Sequence, residues 1–307
     1  MAFFKQKGKR LKNWLIYLFI RISTAVIMKM NRATALKVFE TLGRLGYLLT
    51  ASLRKKTIKH LKMVFGSQCT DFRIRQMAKE VYLNLARNMV DTIHLQKYNA
   101  QSIDRLVSAR GLEKIDQALK KGNGLLLFTG HLGNWELLGA YLAFKGYPLH
   151  VVGAPIYDPR LDEMIVKNRR HSGARYIARG ANASKKILRA LRRNEILGLL
   201  IDLHSKKLDG VLIDFMGRDA LAPKGPVLLA MKTNATIMPI SIHMCKNYRH
   251  LIEVGEEIAL EITGNKEQDL IVNTQRCSKA VEKIILEQPT QWVWMHNRWK
   301  TKKGNGF

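Results

Sequence analysis

The sequence predicts an α/β protein with a largely parallel central sheet flanked by helices and with an N-terminal membrane-associating helical region. Three observations carry this prediction. After Gly111, short apolar runs of strand length alternate with helical stretches, and strands apolar along their whole length are those buried on both faces by crossover helices. Before Gly111, apolar residues recur at helical spacing. The first 30 residues are both basic and apolar. A chain of 307 residues with 47% apolar content can bury one large core with an appendage.

Taken in order, Lys5, Lys7, Lys9, Arg10 and Lys12 precede the apolar run Trp14-Leu-Ile-Tyr-Leu-Phe-Ile20, which Arg21 separates from Ala25-Val-Ile-Met28. No small-residue cleavage site follows, so an uncleaved segment is expected rather than a signal peptide. Trp14 to Met28 is 15 residues, short of the roughly 20 that a straight span needs, and Arg21 would be costly at mid-bilayer. An interfacial or shallowly inserted helix is favoured over a full span, with the basic cluster on the cytoplasmic side. Residues 1–30 are therefore expected to form a membrane anchor or interfacial helix.

Residues 31–100 read as a helical scaffold. Leu36, Val38, Phe39, Leu42, Leu45, Leu48 and Leu49 mark one helix from Ala33 to Leu53, and Phe72 to Asn88 repeats the pattern after a basic linker, Arg54-Lys-Lys-Thr-Ile-Lys59, suited to lipid headgroups.

Residues 101–300 read as the α/β domain, followed by a frayed tail at 301–307. Gly124–Thr129, Pro148–Val152, Ile196–Ile201 and Ile237–Ile242 are expected as buried strands. Leu137–Phe144, Asp162–Arg170, Ala183–Arg193 and Val227–Lys232 supply the intervening helices, and Gln268–Leu286 a long amphipathic one.

The 52 Lys and Arg against 24 Asp and Glu give a formal net charge of +28, a positive potential that calls for an anionic partner. Nucleic acid, an anionic membrane surface, phosphorylated lipid and an acidic carrier protein all meet that demand. Nucleic-acid binding predicts basic residues interleaved with stacking aromatics, or a groove-reading helix, and gives an apolar N-terminus no role, so no nucleic-acid partner is expected. Cys69, Cys245 and Cys277 are widely spaced without a CxxC or Cys/His pattern. They read as buried structural thiols in a reducing compartment, and no metal site is expected.

His131 follows the strand ending Phe128-Thr-Gly130, and Glu136 comes five residues later as a helix begins. Both then lie at the carboxyl edge of the sheet, where α/β proteins build their sites. On one continuous helix they would point roughly 140° apart, so they can meet only if His131 lies on the loop ahead of it. Gly130 and Gly133 permit that turn, and Asn134 is suited to cap the helix with Glu136 in its first turn. A carboxylate beside an imidazole fixes its tautomer and makes it a competent general base for a hydroxyl. The expectation is that His131 takes the proton and Glu136 holds His131. No Ser or Cys stands in a nucleophile-elbow context, which favours direct transfer over a covalent enzyme intermediate. The same spacing also fits a capped helix with an incidental His. His171, His204 and His296 read as structural or surface imidazoles, and Trp292, Trp294 and Trp299 as an interfacial anchor or as packing on the sheet.

The segment His131-Leu-Gly-Asn-Trp-Glu136, with Gly111-Leu-Glu113 upstream, resembles the lysophospholipid acyltransferase superfamily, and closely its branch of late acyltransferases of lipid A biosynthesis (lauroyl and myristoyl transferases). The resemblance continues in order through Asn168-Arg169 with Gly173, Leu199-Leu-Ile-Asp202, Asp214-Phe-Met-Gly217 with Pro223-Lys-Gly-Pro226, and Trp292-Val-Trp-Met-His-Asn-Arg298. It implies transfer of an acyl chain from an acyl carrier protein thioester to an anionic lipid acceptor, a hydroxyl of a lipid A precursor, at the cytoplasmic face of the inner membrane. A lysophospholipid or aminolipid is the alternative acceptor. The implied catalytic pair is His131 with Glu136. Arg169 is expected to bind an anionic group or polarise the thioester carbonyl, Asp202 to orient Arg169 or the acceptor, and Asn134 to line the substrate site. No cofactor is called for, because a thioester already carries an activated acyl group. Leu203-His204 and Phe215-Met-Gly217 depart from the commoner family residues, and they bear on acceptor and chain length.

Overall fold

The structure, a computed structural model, describes residues 2–156, 158–180, 182–203 and 210–299, with side chains from residue 13 onward. The 301–307 tail, His204 and the side chains of the Lys5 to Lys12 cluster lie outside the described residues.

Four helices come first: α1 (Ala2–Lys29), α2 (Arg32–Leu49), α3 (Ala51–Phe65) and α4 (Asp71–His94). Asn31 caps α2 by accepting from the Thr34 N–H at 2.9 Å, and Thr70 caps α4. The break after α2 falls at Thr50, ahead of Leu53, and Arg54 to Lys59 belongs to α3 rather than to a linker. Lys and Arg are good helix formers. Thr57, His60 and Leu61 also give this basic segment a buried face.

Alternation then begins: β1 (Val107–Arg110), α5 (Leu112–Lys120), β2 (Leu125–Thr129), α6 (Trp135–Phe144), β3 (Leu149–Gly153), α7 (Pro159–Ser172), β4 (Arg175–Ala178), α8 (Ala183–Arg192) and β5 (Ile196–Leu200). An antiparallel hairpin of β6 (Gly210–Asp214) and β7 (Asp219–Pro223) follows, then α9 (Gly225–Thr233), β8 (Thr236–Met244), β9 (His250–Val254) and α10 (Lys266–Glu287). The main sheet has the order β1-β9-β8-β2-β5-β3-β4. Its pairings are parallel except β8 with β9. The strands predicted as buried are β2, β3, β5 and β8, of which β2 and β8 are buried nearly throughout while β3 and β5 are largely half-buried, and the predicted helices are α6 to α10. The short strands β1, β4 and β9 and the hairpin carry too little apolar sequence to announce themselves.

Strand β2 is buried along its whole length, because side chains on its two faces enter two different cores. Leu125 and Leu127 pack with α5 and α6, while Leu126 and Phe128 pack with residues of α3, α4, α8, α9 and α10. The thiols follow neither core uniformly: Cys277 is buried, which pushes its thiol up to about 12, whereas Cys69 and Cys245 are half-buried.

The N-terminal helices are fastened to this body by a buried charge cluster. Asp91 of α4, fully buried, accepts from Arg32 Nε at 2.6 Å and Nη2 at 2.9 Å and pairs with His250 Nε2 at 2.8 Å. Burial opposes ionisation of Asp91, but Arg32 and His250 outweigh it and hold the carboxyl below its ordinary range. The outer faces of α1 and α2 expose Trp14, Phe19, Ile22, Leu42, Leu45 and Leu49. No helix among the described residues is long and apolar enough to cross a membrane.

Candidate active site

The site lies where β2 and β5 end side by side. Their parallel register matches Thr129 with Leu200, so the residues two positions beyond each strand, His131 and Asp202, face one another. Asp202 Oδ1 lies 2.8 Å from His131 Nδ1. Its Oδ2 accepts from the His131 backbone N–H at 2.7 Å and from Trp292 Nε1–H at 2.7 Å. The carboxyl is sealed from solvent, while the imidazole side chain keeps 22% exposure. Burial opposes ionisation of Asp202, yet the facing His131 and the bonds from His131 and Trp292 outweigh it and hold the carboxyl below its ordinary range. An ionised Asp202 at Nδ1 fixes the Nδ1–H tautomer and leaves the Nε2 lone pair free to take a proton.

The loop carrying His131 is held from behind by the closing segment of the chain. Leu132 forms an antiparallel bridge with Trp292, Gly133 N–H donates to Gln291 O at 3.0 Å, and Val293 N–H donates to His131 O at 3.2 Å. Gly133 adopts φ +58°, and a Cβ there would lie 2.0 Å from the Ile242 carbonyl oxygen, so only glycine fits. His131 therefore sits on the loop ahead of α6, as the spacing requires. Asn134 caps α6 by accepting from the Leu137 N–H at 3.0 Å. It also accepts from Thr92 Oγ1 at 3.1 Å and donates to Asn88 O at 3.0 Å. Asn134 is thus a buried cap and is not among the residues lining the cavity.

The structure pairs His131 with Asp202 and Glu136 with a different partner. Glu136, in the first turn of α6, is bound by Arg169 of α7 in a fork, Nε to Oε2 at 2.9 Å and Nη2 to Oε1 at 2.6 Å. Five residues of chain place Glu136 near His131, but the tertiary packing of α7 on α6 supplies a cation of ideal bidentate geometry. Burial works against the Arg169 charge, and Glu136 outweighs it and raises the guanidinium pKa. Arg169 also lies over the Tyr176 ring at 4.8 Å. Asp202 is accordingly bonded to His131 and Arg169 to Glu136.

Trp292 was not legible as a site residue. A buried indole N–H must find an acceptor, but nothing in the spacing names a carboxylate 90 residues away. Trp292, Trp294 and Trp299 are all buried and pack edge to face or stacked on one another, so they are core rather than an interfacial anchor. Trp135 packs on the His131 ring at 5.0 Å, and His296 lies 6.0 Å from it. Desolvation and the neighbouring His131 lower the His296 pKa. His171 is a structural imidazole bonded to Tyr98 O at 2.9 Å.

A cavity of about 380 Å³ opens beside His131, Trp135, Glu136 and Arg169 and runs between the sheet and α6. Its walls are apolar, among them Leu127, Leu138, Leu142, Leu149, Val151 and Leu199, and Gly139 and Gly198 keep it open. Such a volume falls in the usual range for a small-molecule site of about 300–1,000 Å³.

A mostly parallel sheet with an imidazole–carboxylate pair at its carboxyl edge, beside a cavity with largely apolar walls, defines the class of an α/β protein. The chain belongs to the bacterial lipid A biosynthesis acyltransferase family, whose profile matches residues 1–301, in accord with the resemblance carried by its motifs. A phosphatidylinositol mannoside acyltransferase of Mycobacterium tuberculosis is 26% identical over 205 residues, covering 65% of this chain and 61% of that protein. A lipid A biosynthesis acyltransferase of Haemophilus influenzae is 25% identical over 194 residues, covering 63% and 59%. The lipid A biosynthesis lauroyltransferase of Escherichia coli is 23% identical over 265 residues, covering 85% and 83%. The match thus spans about three-fifths of the length of the first two of these relatives.

Proposed function

We propose that the protein transfers a fatty acyl chain from an acyl carrier protein thioester to a hydroxyl of a lipid A precursor, with His131 as general base. The observation that carries this reading is the His131–Asp202 pair at the mouth of an apolar cavity. The acyl chain would occupy the cavity and bring its thioester carbonyl to the rim. His131 Nε2 then takes the acceptor hydroxyl proton as the oxygen attacks the carbonyl carbon, and buried Asp202 stabilises the resulting imidazolium. The tetrahedral intermediate collapses by breaking the C–S bond, and the imidazolium returns its proton to the departing thiolate. No side chain is acylated. The Glu136–Arg169 pair forms one wall of the rim and keeps α6 and α7 in register around the entrance.

The same reading places the enzyme at the cytoplasmic face of the inner membrane. The apolar side chains exposed on α1 and α2 support an interfacial docking in which the acceptor need not leave the bilayer. The mycobacterial relative, named for a phosphatidylinositol mannoside, supports a second class of acceptor, a glycosylated phospholipid.

Purified enzyme in detergent, given labelled acyl carrier protein and a panel of lipid A precursor, lysophospholipid, aminolipid and phosphatidylinositol mannoside, should acylate the lipid A precursor. His131→Ala should reduce that rate by about 10²–10⁴-fold, the usual weight of general-base catalysis. A wild-type rate in His131→Ala would refute the mechanism, and preference for another lipid would refute the acceptor.

A further inference from the structure

From Met164 to Asn194 the chain carries ten Lys or Arg residues and no Asp or Glu. The second half of this stretch is α8, whose Ile187, Ala190 and Leu191 are buried. Its opposite side presents Lys185, Lys186, Arg189, Arg192 and the C-cap Arg193, all exposed. These positions fall at i, i+1, i+4, i+7 and i+8, so they share one face of the helix. Among the described residues none of the five side chains has an ion pair or hydrogen bond. The nearest carboxylate in sequence, Glu195, is already taken by Arg175 and by His150 Nε2 at 2.7 Å. Solubility alone is served by interspersed charges of both signs, whereas this face repels itself and is complementary only to a dense negative surface.

Two further observations select the kind of surface. Helices that lie on bilayers mix basic with exposed apolar side chains, as α1 and α2 do here. None of the large exposed apolar residues lies on α8, which suits an acidic protein better than a lipid surface. The placement also matters. Arg179, exposed at the cavity rim, sits on the loop that leads from β4 into α8. From that loop α8 extends roughly 15 Å, at 1.5 Å per residue. A partner seated on the basic face would have the rim within reach of a flexible arm entering past Arg179.

We propose that the exposed basic face of α8 is the docking surface for the acidic acyl carrier protein that delivers the thioester. This rests on the donor proposed above. Encounter between the carrier and α8 is steered by charge, and the acyl group then passes from the carrier's arm into the cavity.

The test compares two donors, acyl carrier protein and an acyl-pantetheine thioester of the same chain, on wild type and on the triple variant Lys186→Glu/Arg189→Glu/Arg193→Glu, with the milder triple Gln variant alongside. With the carrier, kcat/KM of the Glu variant should fall by about 10–10²-fold through KM, the Gln variant should lie between, and the wild-type decline with salt should flatten. Rates with acyl-pantetheine should be equal in all three proteins, which also shows that each is folded. Unchanged kcat/KM with the carrier would overturn the proposal. Loss of binding to phosphatidylglycerol vesicles with unchanged carrier kinetics would overturn it in favour of a membrane contact. A wild-type enzyme that uses acyl-pantetheine but not the carrier would instead refute the donor itself.

Discussion

Replacing Asp202 with Asn tests the site at the atom that organises it. The carboxylate accepts three hydrogen bonds, from His131 Nδ1, the His131 backbone N–H and Trp292 Nε1–H. An Asn side chain has one oxygen and one donating NH₂ for these positions. With its oxygen toward Nδ1, the NH₂ confronts two buried donors. Reversed, the NH₂ faces Nδ1 and forces the proton onto Nε2, which removes the lone pair that acts as base. The first orientation leaves two groups unsatisfied at about 1–3 kcal/mol each, a loss of about 2–6 kcal/mol of folding free energy. Either orientation removes the stabilised imidazolium, and kcat should fall by about 10²–10⁴-fold. The stability change carries a pH signature. Asp202 titrates below the ordinary 3.8 in the folded chain, so its ionised form stabilises the fold above that pH, and the contribution fades as pH falls through the lower folded value. In denaturant titrations the gap between wild type and variant should therefore hold from pH 7 down to about the ordinary 3.8 and narrow as pH falls below it. An Asp202→Asn enzyme within threefold of wild-type kcat, stable at pH 7, would refute the assignment of Asp202 as the residue that orients His131.

Glu136→Gln keeps an oxygen for Arg169 but loses the charge, and it should cost about 1–3 kcal/mol in denaturant unfolding. Its rate should fall less than that of His131→Ala, and an equal loss in a protein of unchanged stability would show that Glu136 acts on the reacting atoms. Gly133→Ala drives a Cβ to 2.0 Å from the Ile242 carbonyl oxygen at positive φ. The loop must move, so destabilisation of more than about 4 kcal/mol is expected. A stable, active Gly133→Ala protein by calorimetry and assay would contradict the described loop.

Much of the frame was legible because its signals are local. Uninterrupted apolar runs named the central strands β2, β3, β5 and β8, and glycines beside Asn134 named the turn and cap that put His131 ahead of α6. Where local signals misled, the cause is also local. The run Arg54 to Lys59 reads as a linker because it is basic, yet its residues are good helix formers with a buried face made by Thr57, His60 and Leu61.

By itself the sequence determined that an imidazole would stand on a loop at the carboxyl edge of an α/β sheet, since strand burial, glycine turns and helix caps are decided within a few residues. Only the tertiary structure decided which carboxylate lies against that imidazole. The parallel pairing of Thr129 with Leu200 carries Asp202 to His131 across 71 positions of chain. The packing of α7 diverts Glu136 to Arg169, and the closing segment brings Trp292 to the same carboxylate. Strand pairing and helix packing join segments far apart in the chain, and the spacing of residues within one segment does not name its partner.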